Sequence, residues 1–259
     1  MEQRSIGPWV FFDHFGPVQF KPGEGINVRP HPHVNLATVS YLFEGEIYHR
    51  DSLGSSLAIH PGAINLMVAG SGITHSERTR DELRETGYKM HGIQLWMALP
   101  EEFEETDPDF MHTPADDIPE IEQDGVTLRV MMGSAFGETS PVKTFSPTLY
   151  FEARMEDGAS FDLPEAEELG IYVVEGEAFV DGETAPLFGM TVLNPSAKTI
   201  TAKGKTRLAV IGGTNLGHRH LDWNFVSSRK DRIEQAKADW KEGRFPKVVG
   251  DDKEFIPLK

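Results

Sequence analysis

Two short segments, YLFEGE at Tyr41–Glu46 and YVVEGE at Tyr172–Glu177, decide the fold. Each begins with β-prone residues and ends in a Glu-Gly-Glu turn. The order of the next elements is also shared, because each copy precedes a second strand, a loop ending in glycine and a third strand. The copies lie 131 residues apart in a chain of 259. A repeat near half the chain length predicts two similar β-domains.

Short β-prone runs separated by glycine and proline dominate the chain, which contains 25 glycines and 17 prolines. Turn residues recur about every 8–12 positions, a pattern typical of an all-β sandwich or barrel. A short helical turn is also expected at Arg80–Glu85. The predicted strands are Thr38–Phe43, Ile47–His49, Ala63–Val68, Met90–Met97, Val126–Met132, Thr148–Ala153, Gly170–Val174, Glu177–Val180, Met190–Leu193 and Leu208–Ile211.

One long helix is predicted near the C-terminus. Ser228 is its expected N-cap, and Asp231, three residues later, is the acid of a capping box. Gly243 is the expected stop. The apolar residues at helical spacing are Ile233, Ala236 and Trp240. Because this apolar stripe is narrow, we expect the helix to lie on the surface of a barrel.

The charge of the chain is concentrated in one place. The net charge is −16, and eleven of the acidic residues lie in residues 100–125, which contain no lysine or arginine. This acidic segment is expected to be a surface connection between the two domains. A negatively charged surface repels phosphate backbones, so direct binding to nucleic acid is not expected.

Composition also narrows the class of protein. The chain has no cysteine, which excludes disulfides, zinc–thiolate sites and cysteine nucleophiles. It has no run of about 18 or more apolar residues, so we expect no membrane span. The N-terminus lacks the basic and apolar regions of a secretory signal. We therefore expect a cytoplasmic protein.

Two pairs of residues with i, i+2 spacing carry the chemistry. They are His31 with His33 and His75 with Glu77. On a strand, this spacing places both side chains of a pair on one face. If the two strands pair or face each other inside a barrel, three imidazoles and a carboxylate converge. Such a set can bind a divalent first-row metal, and octahedral geometry would leave two positions open.

The first pair resembles the first motif of the cupins. Gly25, His31, His33 and Gly45 fit the spacing of that motif, although Thr38 stands where cupins carry glutamate. The usual cupin glutamate is therefore missing from this position.

The second pair resembles the second cupin motif. Residues 70–75 (GSGITH) fit it, with Gly70 in place of proline. Glu77 follows the last histidine by two residues. This relocation of the glutamate is similar to that in the pirin family.

Long stretches of the sequence resemble pirins. Arg29–Ser55 (RPHPHVNLATVSYLFEGEIYHRDSLGS) and Met67–Glu77 (MVAGSGITHSE) match the pirin signature almost residue for residue. Weaker likeness covers the rest of the chain, and WNFVSS is similar to bacterial members. These weaker matches are Phe12–Pro17, Gly92–Trp96, Pro147–Tyr150 and Trp223–Ser228.

The resemblance implies a bicupin: two antiparallel β-barrel (jelly-roll) domains with a C-terminal helix. We expect a metal-binding barrel over residues 1–125, a second barrel over 126–226, and a helix and tail over 227–259. The family has one mononuclear divalent metal, usually Fe(II), with Mn, Ni, Co, Cu and Zn as alternatives. Carried over by motif, its ligands are His31, His33, His75 and Glu77.

The second barrel lacks an equivalent ligand set. Aligning the repeats places Asp162 and Pro164 at the first pair of positions, and Ala202 and Gly204 at the second. We therefore expect the second barrel to be free of metal and to serve as wall, scaffold or partner surface.

The resemblance implies two candidate functions. Some pirins cleave the flavonol quercetin with O2 as quercetin 2,3-dioxygenases. Here Glu77 would ligate the metal and also act as the catalytic general base on the flavonol hydroxyl. Other pirins are regulators that sense redox state and bind a transcription factor or a metabolic enzyme through protein contacts. We favour the dioxygenase, with a flavonol-like aromatic substrate. A cupin that only binds a small ligand is the third alternative.

The remaining histidines are expected to play lesser roles. His218 and His220 form a second HXH pattern, which we interpret as a polar surface loop because no further pair completes a site. His49 and His60 either orient a ligand or face solvent, and we favour solvent. Trp96 is expected in the core first and as a pocket wall second.

Overall fold

The structure is a computed structural model that describes residues 4–258. The chain divides into two compact units. The histidine unit consists of Phe11–Ala115 together with the described residues of Gly217–Lys259. The second unit consists of Asp116–Leu216 together with the described residues of Met1–Val10. The domain boundaries expected after residues 125 and 226 stay a prediction.

Antiparallel strands build the histidine unit, and only the first two residues of its first strand, Trp9 and Val10, belong to the second unit. In chain order they are β1 (Trp9–Phe20), β2 (Asn27–His33), β3 (Leu36–Glu44), β4 (Ile47–Asp51), β5 (Ser56–Ile59), β6 (Ile64–Val68), β7 (Ile73–Arg78), β8 (Tyr88–Ala98) and β9 (Asp109–Thr113). A short helix, α1 (Asp81–Thr86), joins β7 to β8 and confirms the helical turn predicted there. One sheet has the order β1-β8-β3-β6-β9, and the other has the order β2-β7-β4-β5.

The two sheets of the histidine unit pack face to face. His49 on β4 stacks on Phe110 on β9, with ring centroids 4.4 Å apart. Gln94 on β8 donates a hydrogen bond of 2.9 Å to Glu77 on β7. Because side chains alternate between the faces of a strand, each sheet contributes every second residue to the interior between them. This interior holds the candidate site.

The second unit is also antiparallel. Its strands are β10 (Glu120–Gln123), β11 (Val126–Met132), β12 (Ser134–Ala135), β13 (Glu138–Thr139), β14 (Thr148–Met155), β15 (Ser160–Asp162), β16 (Glu168–Val180), β17 (Glu183–Ala185), β18 (Met190–Val192) and β19 (Thr199–Gly213). The path β10-β11-β14-β19-β16-β17 runs through the main sheet, with β15 beside β19 and β18 beside β16. Each predicted strand overlaps a strand of the structure, which confirms the all-β prediction.

The Glu-Gly-Glu segments differ from the predicted turns. In the first copy, β3 ends at Glu44 and the chain enters the other sheet at Ile47, so the two strands do not form a hairpin. In the second copy, β16 continues through the segment, and its pairing with β19 shifts register on both sides of Glu175. Gly176 has a φ of +81° there, a conformation that glycine adopts without steric cost.

The C-terminal part of the histidine unit contains β20 (His220–Asp222), β21 (Phe225–Ser227) and helix α2 (Lys230–Lys241). Ile233 and Ala236 of α2 are buried with Val34 and Phe225, as the apolar stripe predicts. Beyond the helix, the amide of Gly243 donates to the carbonyl of Trp240 with a φ of +68°, consistent with the predicted stop.

The predicted N-cap of α2 is wrong. Arg229 occupies the cap position and makes no side-chain capping hydrogen bond. The amide and hydroxyl of Ser228 instead donate to the carboxylate of Glu104, at 2.6 and 2.9 Å. Because Glu104 is buried, its carboxylate needs these donors and takes Ser228 away from the helix.

The acidic segment is more than a surface connection. Asp109–Thr113 forms the edge strand β9 and pairs with β6. Glu104 lies in the interior, also paired with Arg219 at 3.3 Å. Within the described part of the chain, no helix is long and apolar enough to cross a membrane.

Candidate metal centre

Three histidines meet on two neighbouring strands. His31 and His33 lie on β2, and His75 lies on β7, where it pairs directly with His31. The i, i+2 spacing of the first two side chains places both on the face of β2 that points into the unit. The strand pairing then brings the third imidazole beside them. All three side chains are buried.

The ligand nitrogen atoms of these histidines form one group. One nitrogen from each ring lies within 4.8 Å of the others. The Nε2 atoms of His33 and His75 are 3.1 Å apart. Two nitrogens that bind one metal at about 2.1 Å and a right angle are about 3 Å apart, so this spacing suits a shared ion. The three buried imidazoles could bind a metal ion.

Backbone carbonyls set the tautomers of two of the histidines. Nδ1 of His31 lies 2.9 Å from the carbonyl oxygen of Arg29, and Nδ1 of His33 lies 3.0 Å from that of Asn224. A carbonyl oxygen only accepts, so each Nδ1 carries the proton and donates it. The lone pair of each Nε2 is therefore directed to the shared centre, as in histidine metal sites generally.

Burial keeps the three imidazoles neutral. Burial lowers the pKa of His31 to about 4, although the hydrogen bond to the Arg29 carbonyl raises it. Burial likewise lowers the pKa of His33 and of His75 well below 6.5, and the neighbouring imidazoles lower both further. Neutral imidazole is the form that binds metal ions, so the site is prepared for a metal near pH 7.

Glu77 lies on β7 in the same interior and is buried. Burial raises its pKa above 4.5, although the hydrogen bond from Gln94 and the nearby His49 oppose this shift. The potential ligand atoms that lie within 4.8 Å of one another are the three ring nitrogens, and the Glu77 carboxylate is not among them. The roles of Glu77 as fourth ligand and as base stay predictions.

A buried histidine–aspartate pair stands beside the triad. His49 is only 2% exposed, so the preference for a solvent-facing side chain is wrong for this residue, whereas His60 is exposed as expected. Its Nε2 lies 3.0 Å from Oδ2 of Asp51, and its ring centroid is 5.3 Å from that of His75. Oδ1 of Asp51 accepts the amides of Leu53 and Ser55, each at 2.9 Å. The carboxylate is thus held in place by both oxygens.

The pKa of Asp51 reflects this pairing. Burial alone would raise it, but the hydrogen bonds from His49 and Ser55 outweigh burial and lower it below 3.8. The turn after Asp51 is the only part of this arrangement that the local sequence could have indicated, because its backbone amides donate to the Asp51 carboxylate. The contact with His75 depends on the pairing of β4 with β7 and has no local signal.

Aromatic side chains form one wall of the interior. The ring of Trp96 is 5.2 Å from that of His33 in an edge-on arrangement. Phe11 stacks on Trp96 with centroids 4.3 Å apart, and Phe11 is 36% exposed. A planar aromatic wall therefore extends from the histidines towards solvent. Trp96 is buried, as predicted for a core residue, and its role as a pocket wall stays a prediction, whereas sequence analysis missed Phe11.

The other histidines lie apart from the triad. The rings of His218 and His220 are 4.7 Å apart. His218 is exposed in a loop, as expected, whereas His220 is half-buried and begins β20. His14 and His91 pair with each other through Nε2 atoms 2.7 Å apart. Among residues 4–258, the triad is the only group of three or more potential ligands. The absence of metal from the second unit stays a prediction.

Comparisons with known proteins agree with this architecture. The family model described as "Pirin" matches residues 1–97, and that described as "Pirin C-terminal cupin domain" matches residues 150–246. A protein named "Pirin-like protein" from Caulobacter vibrioides is 49% identical over 262 residues, which cover 98% of this chain and 90% of that protein.

Two solved structures are also similar. Both are of quercetin 2,3-dioxygenases from Acinetobacter baumannii. The first has a TM-score of 0.91 and 35% identity, covering 99% of this chain and 86% of that one. The second has a TM-score of 0.88 and 28% identity, covering 93% and 87%. The sequence matches across nearly the whole chain, together with the two cupin units, show that the chain belongs to the pirin family.

Proposed function

We propose that this chain is a metal-dependent dioxygenase that opens the heterocyclic ring of a flavonol such as quercetin with O2. The observation that carries this proposal is the triad of buried, neutral imidazoles beside a buried carboxylate and an aromatic wall. The likeness to the quercetin 2,3-dioxygenase of Acinetobacter baumannii supports the same reaction class.

His31, His33, His75 and Glu77 would hold one divalent ion, which we propose to be Fe(II). When bound, the ion supplies a Lewis acid and a template that brings the flavonol oxygen and O2 together. The chemistry of the nitrogen donors suits several first-row metals, among them Mn, Ni, Co, Cu and Zn. Metal analysis of the purified protein therefore distinguishes the native ion from these alternatives.

Glu77 would take the proton of the flavonol hydroxyl. A general base works best when its pKa lies near the working pH, and burial moves the pKa of Glu77 upward in that direction. Gln94 donates to Oε1 of Glu77 at 2.9 Å, which leaves Oε2 to face the substrate or the metal. Gln94 would thus orient the carboxylate during proton transfer.

The aromatic wall would orient the substrate. A flavonol is flat and aromatic, and it can stack on the exposed part of Phe11, whose ring already stacks on Trp96. Stacking there would direct one end of the flavonol towards His33, whose ring contacts Trp96. The buried surroundings of the histidines would exclude water from the reacting atoms.

O2 uptake tests the proposal. We expect iron-loaded protein to consume O2 when quercetin is added, with about one metal per chain measured on the same sample. His33→Ala should lose both metal and uptake, because it removes a ligand. His218→Ala, which removes an exposed histidine from the other HXH pattern, is the matched control and should retain both.

Glu77→Gln tests the base separately. We expect it to lower quercetin-dependent uptake by about 100-fold or more, the usual contribution of a general base. Full turnover in Glu77→Gln would contradict the base assignment. One metal per chain without uptake in the unaltered protein would contradict the dioxygenase and favour the regulator, whose affinity for a protein partner would depend on the metal.

A further inference from the structure

A cavity lies on the face of β2 and β7 opposite to the face that carries the histidines. Its volume is about 230 Å³, and the C-terminal residues 240–255 form most of its wall. Thr74 and Pro30, the strand residues that line it, immediately precede His75 and His31. Because neighbouring side chains on a strand point to opposite faces, this cavity is separate from the metal centre.

Three aromatic rings form part of the cavity wall. The centroid of Trp240 lies 5.8 Å from that of Phe245 and 5.6 Å from that of Phe255, with the rings nearly perpendicular in both pairs. Nε1 of Trp240 donates to the carbonyl of Ile256 at 2.9 Å, which holds the indole in place. A gap bordered by aromatic rings favours the binding of another flat aromatic ring, which can make stacked or edge-on contacts with them.

One polar group in the cavity wall lacks a partner. Thr74 is 1% exposed, and its hydroxyl oxygen has no hydrogen-bond partner among residues 4–258. A buried hydroxyl without a partner is unfavourable, and a ligand that offers a hydrogen bond would satisfy it. The hydroxyl can both donate and accept, so it matches the hydroxyl of an alcohol or a phenol.

The charges around the cavity balance. Arg78 pairs with Asp251 and with Glu254, each at 2.9 Å. Asp251 and Glu254 line the cavity together with Lys247, Lys253 and Asp252, whereas Arg78 stands outside the lining. The two lysines and three acids of the lining sum to −1, and Arg78, which pairs with two of these acids, brings the total to zero. This balance of charge favours a neutral ligand over an ion.

We propose that this cavity binds a neutral, single-ring phenol. The ring would lie among Trp240, Phe245 and Phe255, and the phenolic hydroxyl would pair with Thr74. An apolar cavity of about 150 Å³ holds one benzene, so about 230 Å³ accommodates one substituted ring but not the three rings of a flavonol. This site does not depend on the proposed dioxygenase activity.

Calorimetric titration of the full-length protein with phenol tests the site. We expect a Kd of about 1 mM, since phenol has only seven non-hydrogen atoms. Thr74→Val keeps the shape of the side chain and should weaken binding about fivefold. Thr74→Ser, which keeps the hydroxyl, should restore it. Melting temperatures of both variants check that they fold.

Phe255→Ala should also weaken phenol binding about fivefold, because it opens one aromatic wall. Phe188→Ala is its matched control, since Phe188 is 56% exposed in the second unit and Phe255 is 55% exposed. Benzoate should bind at least fivefold more weakly than phenol.

Three results would overturn the proposal. The first is no binding heat with phenol up to about 10 mM. The second is binding unchanged in both Thr74→Val and Phe255→Ala but lost in His33→Ala, which would place phenol at the histidines. The third is benzoate binding as tightly as phenol, which would contradict the neutral ligand class.

Discussion

In the histidine unit, YLFEGE ends one strand at Glu44, and the chain then enters a second, facing sheet at Ile47. In the second unit, YVVEGE lies within the single strand β16. The same local pattern thus serves as a crossing between sheets in one unit and as a bulge in the other. Pairing with β19 makes this difference, because that strand extends past Gly176 and continues the ladder.

The interiors of the two units differ more than their strands. The interior of the histidine unit buries three imidazoles, Glu77 and the His49–Asp51 pair. The main core of the second unit consists of apolar side chains, with Phe151 and Phe161 among them. Buried polar groups cost free energy unless they are paired, whereas apolar burial stabilises. One β-pattern therefore supports either a reactive interior or a stabilising one, according to its inward-facing residues.

Removing a core ring from the second unit should have the largest effect on stability. Phe151 is fully buried and lies 5.2 Å from Phe136 and 5.9 Å from Phe161, centroid to centroid. We expect Phe151→Ala to lower the free energy of unfolding by about 3–5 kcal/mol. Denaturant unfolding of the metal-free protein measures this loss.

Two controls sharpen that result. Phe188→Ala, at an exposed phenylalanine of the same unit, should change the free energy of unfolding by at most about 0.5 kcal/mol. In the metal-free state, His33→Ala should cost less than Phe151→Ala, because it removes a buried polar group. If His33→Ala proved the more destabilising change, the contrast between the interiors would fail.

Acid should destabilise the metal-free histidine unit. The pKa of His31 is about 4 in the folded state and near 6.5 when unfolded, because burial disfavours the charged ring. Between these values the unfolded state binds more protons, so the contribution of His31 to stability is complete above pH 6.5 and is lost progressively as the pH falls from 6.5 to 4. For His31 alone, the free energy of unfolding falls by about 3 kcal/mol over this pH range.

Unfolding of chelator-treated protein at pH 7 and at pH 4.5 measures this dependence. His31→Gln should make the free energy of unfolding less dependent on pH, because glutamine does not titrate. His218→Gln, at an exposed histidine, should leave the dependence unchanged. An equally steep pH dependence in His31→Gln would assign the effect to other groups.

Local patterns predicted much of the fold and part of the site. Alternation and turn residues located the strands, and the i, i+2 spacing brought His31 and His33 to one face. The convergence with His75 was expected on the condition that the two strands pair or face each other, and the structure supplies the pairing of β7 with β2. These features depend on strand geometry, which the order of residue types along the chain already encodes.

Long-range contacts account for what the sequence did not predict. The carbonyl of Asn224 orients His33 from 191 positions away. Phe11 reaches Trp96 only because β1 lies beside β8. Ser228 has the residue type of an N-cap, yet a buried carboxylate competes for its donors. In each case the partner is set by tertiary packing, so no local pattern identifies it.

Gln94→Leu tests the contrast between the two interiors at a single hydrogen bond, the one from Gln94 to Glu77. The variant removes the donor to Oε1 of Glu77, which opposes the rise in the pKa of that carboxyl group. The pKa of Glu77 should rise further, so the acidic limb of the pH profile for quercetin-dependent kcat/KM should move to higher pH. Turnover at pH 7 should fall about tenfold.

Gln123→Leu, at an exposed position in the second unit, is the control. If the acidic limb did not move in Gln94→Leu, the orienting role of Gln94 would be contradicted.

The smallest expected effect concerns the outer end of the aromatic wall. Phe11 is 36% exposed and contacts Trp96 by stacking, so it can add to substrate binding without touching the histidines. We expect Phe11→Ala to raise the KM for quercetin about fivefold and to leave kcat nearly unchanged, because the lost stacking is equal in the ground and transition states. Steady-state O2 uptake over a range of quercetin concentrations separates the two constants. Phe188→Ala, which removes an exposed ring from the second unit, should change neither. A fall in kcat with constant KM would instead mean that Phe11 aligns the flavonol for reaction, and the wall would then belong to the reactive interior rather than to its entrance.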